Sequence, residues 1–432
     1  MNVCVAGLWH LGTVTAACLA SAGHEVTGLD ADPTVVDALL ASKPPVFEPA
    51  LADLIEAGLA SGHLHFTTDA ATATYRADVV WVAFDTPVDE EDKANTAFVL
   101  ERAAQLFPFL ADRTLVLISS QLPVGSTRHL ERMWGGVANG RAVSFACLPE
   151  NLRLGSAIET FTRPDRIVAG VRTPADRDRV TVLLQPFTSQ IEWMSVESAE
   201  MTKHALNAFL ATSVSFINEI AELCEQVGAD AGAVERGLKS DSRIGPRAYL
   251  SPGAAFAGGT LARDVMSLSE LGRVNDVATH LITSVKTSND AHRRWAARRL
   301  HQLLGGVSGK TVAVWGLTYK PGTDTLRRSS SVELCQWLVD QGAAVIAHDP
   351  AIRNLPRNEG YRFTLAETAL TAVRGASALV VATPWPEYRE TAAGDVAAQM
   401  VRGLVLDANG FVKQTLGTHD GIEYVTVGRT CK

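Results

Sequence analysis

Two stretches carry residue types and spacings that could do chemistry. The first runs from Val196 to Gly228 and contains no proline and no internal glycine. Met201, Leu206, Phe209, Leu210, Phe216, Ile217 and Ile220 recur there at spacings of three and four, which predicts one long helix. Its apolar residues cover more than one face, as in a helix packed on several sides. Lys203 and Asn207 lie four apart, so they project from one face, a turn apart. An ammonium and an amide presented together from a stiff, mostly apolar helix describe a polar site on a rigid support. A solvated helix edge gives the same pattern. The second stretch is Gly7-Leu8-Trp9-His10-Leu11-Gly12, between an apolar strand, Asn2–Ala6, and a helical run, Thr13–Ala22. Gly23-His24 ends that helix, and a second strand, Glu25–Leu29, stops at Asp30. Strand, glycine turn, helix, strand and acid is a dinucleotide-binding layout, with backbone N–H groups and a helix N-terminus facing a pyrophosphate. Asp30, about 20 residues beyond the turn, suits two ribose hydroxyls and repels a 2′-phosphate, which favours NAD over NADP. Trp9 stands where a glycine normally lets the phosphate approach, and a buried strand-turn-helix without function looks similar.

The elements that must position these residues follow from short apolar runs. Ala77–Ala83 ends in Asp85-Thr86-Pro87, Thr114–Ser119 in Ser120-Gln121-Leu122-Pro123, and Ala142–Leu148 in Pro149-Glu150-Asn151-Leu152-Arg153. Each polar cluster follows the C-terminal end of a strand, the edge where open α/β sheets bind ligands. A strand near Arg166–Val171 and a helix near Ala175–Leu184 complete a first domain, residues 1–192. A helical middle, residues 193–305, contains a glycine-dense loop from Ser240 through Gly253 to Asp264 and a second long helix, Thr279–Leu304. A second α/β domain, residues 306–432, opens on the strand Thr311–Trp315 and the loop Gly316–Asp324. The fold class expected is α/β: two Rossmann-like, doubly wound parallel sheets joined by a helical domain with a long central helix.

Composition narrows the function. A chain of 432 residues exceeds one ordinary core, and 47% apolar with 20% charged residues describes a soluble globular protein. A formal net charge of −8 argues against nucleic-acid binding, so an anionic ligand requires a local basic pocket. The six cysteines show neither metal nor redox spacing and read as core thiols of a reducing compartment. No apolar run reaches the roughly 18 residues of a membrane span. The N-terminus enters directly on a strand, so the expected location is the cytoplasm.

The motifs, taken in order, resemble the UDP-glucose/GDP-mannose dehydrogenase family over essentially the whole chain. They include Gly23-His24 with Asp30, Pro123-Val124-Gly125, Pro149-Glu150-Asn151-Leu152-Arg153 and Pro164-Asp165-Arg166-Ile167-Val168. Thr202-Lys203 with Asn207-Ala208-Phe209-Leu210-Ala211 and Phe216-Ile217-Asn218-Glu219 is similar to the family's central helix. Arg243-Ile244-Gly245, Tyr319-Lys320-Pro321 with Thr323-Asp324, and Arg327 with Ser329 extend the likeness. The resemblance implies an NAD domain, a helical dimerisation domain and a UDP-sugar domain. It implies a homodimer whose site closes between domains, with some contacts from the partner. It places Lys203, Asn207 and Asp264 at the reacting end of the sugar. Glu150, Asn151, Leu152, Arg153, Arg243, Tyr249, Gly253 and Lys320 join Lys203 and Asn207 around the sugar nucleotide. Gly7, Leu11, Gly12, Asp30, Thr86, Gln121, Arg263 and Arg327 fall to NAD, and no metal is implied.

In that family two hydrides leave C6, and the second step uses a cysteine whose thiolate captures the aldehyde. Here the nucleophile's position is Thr260, within Gly259-Thr260-Leu261-Ala262-Arg263-Asp264. An alcohol's pKa lies far above the thiol's, about 8.5. Trp9 and Asp85 replace glycines, Gln121 a threonine, Leu154 a glutamate and Arg263 a lysine. Cys147, three residues before Glu150, is the one thiol whose position approaches the site, or it is a buried strand residue. Three readings follow. The first is an NAD-dependent nucleotide-sugar oxidoreductase that stops after one hydride, or returns it in a redox-neutral reaction. The second is a complete 6-dehydrogenase giving a uronate. The third is a sugar-nucleotide-binding regulator without turnover.

Overall fold

The computed structural model describes residues 1–87, 89, 94–150, 152–257, 259–326, 329–356 and 360–429. They fold as two compact units, Met1–Ala205 and Leu206–Lys432.

The first unit is built on eight strands: β1 (Asn2–Ala6), β2 (Glu25–Leu29), β3 (Leu64–Thr67), β4 (Val79–Val82), β5 (Leu115–Ile118), β6 (Ser144–Cys147), β7 (Ile167–Gly170) and β8 (Ile191–Met194). Their order is β3-β2-β1-β4-β5-β6-β7-β8. β4 and β5 are buried along their whole length, which explains continuous apolar runs where a half-exposed strand would alternate. The pairs are parallel except one: β7 meets β6 antiparallel through Cys147 and Gly170. Helix α1 (His10–Ser21) lies directly on this sheet, with Gly12 to Ala20 all buried. Gly7 has φ +93°, and a Cβ on it would meet Phe84 at 2.6 Å. A Cβ on Gly12 would lie 1.7 Å from the Gly7 carbonyl oxygen, so only hydrogen fits where helix and strand touch.

In the second unit, β9 (Thr311–Trp315), β10 (Ala344–His348), β11 (Thr364–Leu365), β12 (Ala378–Val381), β13 (Leu404–Asp407) and β14 (Glu423–Val425) pair in the order β11-β10-β9-β12-β13-β14. All these pairs are parallel. The order repeats that of the first six strands of the other sheet, and both are doubly wound.

Helix α2 (Val196–Val227) is the long helix the sequence predicts. It is followed by α3 (Thr260–Val274), α4 (His280–Arg293) and α5 (Trp295–Leu304). The single helix expected over Thr279–Leu304 is therefore two, separated at Arg294, whose ψ of 4° leaves the helical region. Ala221, Cys224, Trp295 and Leu300 share one core with Val312, Val380 and Leu406 of the second sheet. A smaller core of Ala208, Ala211, Val265, Leu268 and Val285 joins α2, α3 and α4. Phe209, Phe216 and Leu223, seven residues apart on α2, are 68%, 47% and 61% exposed. No helix among the described residues is long and apolar enough to cross a membrane.

Candidate active site

The glycine turn presents an open helix end. Trp9 caps α1 without a side-chain hydrogen bond, and the first turn itself carries no acidic residue. The Trp9 indole is 49% exposed and stands out of the turn. Leu11 packs partly into the core beneath. Gly7 N–H donates to the Leu29 carbonyl at 2.9 Å, and Leu8 N–H donates to Asp30 Oδ2 at 2.9 Å. The carboxylate that ends β2 is thereby fastened under the turn. A cradle that a Cβ would fill, an uncapped helix N-terminus and an acid at the second strand's tip together fit NAD. Thr86 is buried and donates its hydroxyl to the Gln121 carbonyl at 2.7 Å, so these two loops are joined to each other.

Glu48 is a member of this region that the sequence did not reveal. It is 3% exposed. Its carboxylate accepts from Gly155 N–H and Ala157 N–H, both at 2.8 Å, and lies 2.9 Å from His10 Nε2. It therefore ties the glycine turn to the segment just after Arg153. Neither spacing nor a turn motif marks it, because its partners lie 38 to 109 residues away.

The first turns of α2 are docked on the C-terminal edge of the first sheet by a row of polar contacts. Glu197 pairs with Arg172 at 2.8 Å. That hydrogen bond is the main reason the Glu197 carboxyl is held down at about 2. Glu200 accepts from Gly125 N–H at 2.6 Å and Thr127 N–H at 2.9 Å. His204 Nε2 reaches the Leu122 carbonyl at 2.9 Å. Lys203 Nζ donates to the Glu150 carbonyl at 2.6 Å and lies 4.0 Å from the Glu150 carboxylate. Glu150 in turn accepts from Leu152 N–H at 2.6 Å. Lys203, Glu150, Gln121, Glu200 and Cys147 line one pocket. Leu152 is half-buried and Arg153 exposed. Burial pushes the Cys147 thiol well above its ordinary range, and the Glu200 and Glu197 carboxylates push it further. The thiolate, which is the nucleophilic form, is thus disfavoured.

The second unit holds the remaining groups. Asn207 Nδ2 donates to Asp264 Oδ2. Asp264 has no exposure and Asn207 only 6%. Thr260 is the first residue of α3, exposed, with Gly259 before it and Asp264 one turn after it. Arg263, between them, is half-buried. Gly253 is buried in the loop that leads to α3. Its N–H donates to Asn218 Oδ1 at 3.0 Å. Ala254 N–H donates to Asn409 Oδ1 at 2.8 Å, and Phe256 N–H to Asn289 Oδ1 at 2.9 Å. Asn218, Asn289 and Asn409 were not legible as site residues, since an isolated asparagine carries no periodic signal. The Lys320 ammonium stands 5.5 Å from the Tyr319 ring centroid. Arg243 is exposed and paired with Asp241 at 2.7 Å, and Tyr249 is 60% exposed. Two residues expected in the site, Asn151 and Arg327, lie outside the described residues, as does Cys431. Among the described residues no group of His, Cys, Asp and Glu is placed to hold a metal ion.

Comparison with known proteins agrees across the chain. Three models of the UDP-glucose/GDP-mannose dehydrogenase family match in order: its NAD binding domain over residues 1–188, its central domain over 197–291 and its UDP binding domain over 313–414. The chain is 34% identical to a UDP-glucose 6-dehydrogenase of Rhizobium meliloti (strain 1021), covering 99% of this chain and 100% of the relative. It is 33% identical to one of Bacillus subtilis (strain 168), covering 99% and 98%. The structure of a UDP-glucose dehydrogenase from the archaeon Pyrobaculum islandicum matches with a TM-score of 0.88 at 29% identity, covering 99% and 98%.

The buried, acid-flanked setting of Cys147 makes it inert. Iodoacetamide applied to the native protein near neutral pH should leave Cys147 unmodified, as read by peptide mass mapping, and should modify it fully after unfolding in guanidinium. Rapid native alkylation at Cys147 would show a reactive thiol beside Lys203.

Proposed function

The chain belongs to the UDP-glucose/GDP-mannose dehydrogenase family, and from that membership we propose that it oxidises one hydroxyl of a UDP-sugar with NAD and stops after a single hydride. That it is an NAD-dependent oxidoreductase acting on CH–OH follows from the family itself. The one-hydride limit rests on Thr260, which heads α3 one turn before the buried Asp264.

When bound, NAD would supply the hydride acceptor. The open end of α1, with Gly7, Gly12 and Asp30, holds it. Asp264 takes the hydroxyl proton, directly or through a water. A carboxylate with no exposure and an amide on Oδ2 is kept from exchanging freely with solvent, which suits a positioned base. The Lys203 ammonium and the Asn207 amide, one turn apart on α2, stabilise the oxygen as negative charge grows on it. The C–H and O–H bonds break: the O–H pair forms the second C–O bond, the proton goes to Asp264, and the C–H pair leaves with the hydride.

A second oxidation through an acyl-enzyme requires a nucleophile that adds to the carbonyl carbon. The Thr260 hydroxyl is a poor one at neutral pH. Supporting the same limit, the five cysteines described, Cys4, Cys18, Cys147, Cys224 and Cys335, are all buried. The product is then an aldehyde or ketone, or the hydride returns in a redox-neutral step. The exposed stripe of Phe209, Phe216 and Leu223 on α2 supports a homodimer formed along that helix, since seven-residue spacing of apolar groups is what paired helices bury.

Counting NADH against UDP-glucose consumed tests the reading: at most one equivalent is expected, and two equivalents with a uronate product would contradict it. Asp264→Asn should lower kcat by about 10²–10⁴-fold while UDP-glucose affinity by calorimetry stays within a few-fold. Phe209→Glu combined with Phe216→Glu should convert a dimer to a monomer in light scattering coupled to gel filtration. An unchanged mass would place the interface elsewhere.

A further inference from the structure

Three groups from two separate stretches of the first unit converge on the Glu48 carboxylate. Oε2 accepts from Gly155 N–H at 2.8 Å and lies 2.9 Å from His10 Nε2, while Oε1 accepts from Ala157 N–H at 2.8 Å. Ser156 caps the helix Ala157–Thr162 without a side-chain hydrogen bond, so that helix end takes its cap from Glu48, 109 residues away. The Glu48 side chain is 1% exposed and that of His10 18%. Glu48 is itself held in place. Leu51 N–H donates to its carbonyl at 3.1 Å, and Leu51 and Ile55 are buried in one core with Ala157 and with Ala16 and Leu19 of α1.

Each partner of Glu48 belongs to a ligand-binding element. His10 is the first residue of α1, within the glycine turn that fits NAD. Gly155 and Ala157 end the segment that begins at Glu150. The head of that segment is pinned by Lys203, whose Nζ donates to the Glu150 carbonyl at 2.6 Å. Between the two pins, Leu152 N–H donates to the Glu150 carboxylate at 2.6 Å and Ser156 N–H to the Arg153 carbonyl at 2.9 Å. Gly155 takes φ +89°, which a side chain would resist, so the chain turns at the point where Glu48 grips it. The segment is thus fastened at its head by Lys203 and at its foot by Glu48, and Glu48 also reaches the glycine turn.

We propose that Glu48 is a positioning residue that makes NAD and nucleotide-sugar binding cooperative, by carrying order from His10 in the glycine turn to the segment ending at Ala157. The proposal rests on the reading of Glu150 to Arg153 as part of the substrate site. A dinucleotide seated on the turn restrains the backbone of His10. The shared Glu48 oxygen passes that restraint to Gly155. The sugar nucleotide then meets a segment whose ordering cost has already been met, and it binds more tightly. Linkage requires the reverse as well, so the sugar nucleotide tightens the dinucleotide by the same factor.

The test uses the full-length protein with NADH, which binds as a dinucleotide but cannot accept a hydride. Amide hydrogen exchange of peptides covering residues 152 to 157 is compared with and without NADH, and UDP-glucose affinity is measured by calorimetry in the same two states. NADH should slow exchange in these peptides and tighten UDP-glucose, each by about fivefold or more. Glu48→Gln keeps the size of the side chain but exchanges one acceptor oxygen for a donor, so it cannot accept on both sides at once. It should still bind NADH, while both effects shrink to less than about twofold. A purely structural role would weaken both ligands and leave the ratio of affinities unchanged. If that variant does not fold, His10→Ala cuts the link to the turn, keeps the Gly155 and Ala157 contacts, and should abolish both effects in the same way. Exchange in the unaltered protein that ignores NADH, UDP-glucose affinity that ignores it, or variants that keep the parent's ratio each overturn the proposal. Slowed exchange in a protein that binds no UDP-glucose supports the tie through Glu48 and overturns the substrate reading instead.

Discussion

A carboxyl group removed entirely from water has to be compensated, and Asp264 is compensated by the side-chain amide of Asn207. Leaving a buried amide or hydroxyl unsatisfied costs about 2–7 kcal/mol, and an ionised carboxylate costs more. That bond ties α2 to α3 at Asn207 and Asp264. α2 has neither proline nor glycine inside it, so nothing breaks the helical turn between Lys203 and Asn207. Lys203 is fastened in its own unit by the Glu150 carbonyl, and the neighbouring Glu200 by the N–H groups of Gly125 and Thr127. One helix thus carries the two polar groups that the proposed chemistry requires, Lys203 held by the loop at Glu150 and Asn207 by α3.

In the proposed reading, the groups that grip and the groups that react differ in how far they depart from the family pattern. The polar residues around the proposed sugar site are retained, and the loop at Gly253 is tied down by asparagines with little or no solvent access apart from Asn409. The proposed reading puts the Thr260 hydroxyl where the family's second step uses sulfur. The head of a helix lowers the pKa of a thiol enough to matter, because thiolate and thiol lie within reach of each other near neutral pH. The same field acting on an alcohol leaves it protonated. Trp9 is the second departure with a physical consequence. Its indole projects outward, and the backbone of the turn keeps the shape that Gly7 and Gly12 impose.

What was legible in the sequence was whatever repeats. Apolar runs gave the strands, and the strand ends correctly located Thr86, Gln121 and Glu150 beyond β4, β5 and β6. Mixed spacings of three and four gave α2 almost to the residue. The antiparallel entry of β7 was not legible, because a buried strand reads the same in either direction. Nor was the break at Arg294, which no proline or glycine announces. That Trp295 and Leu300 pack with Val312 and Leu406 was not legible either, because a helix face shows that it is buried, not what it is buried against. The polar fastenings were least visible of all. Glu48, Asn218, Asn289 and Asn409 act through backbone groups far along the chain, and such bonds leave neither a period nor a motif.

The account stands or falls on where oxidation stops. The most direct measurement is the mass of the sugar nucleotide recovered after the purified protein has consumed UDP-glucose with excess NAD. The account predicts a carbonyl product, two hydrogens lighter than the substrate, or an isomer of unchanged mass. A carboxylate, heavier by one oxygen and lighter by two hydrogens, would contradict it.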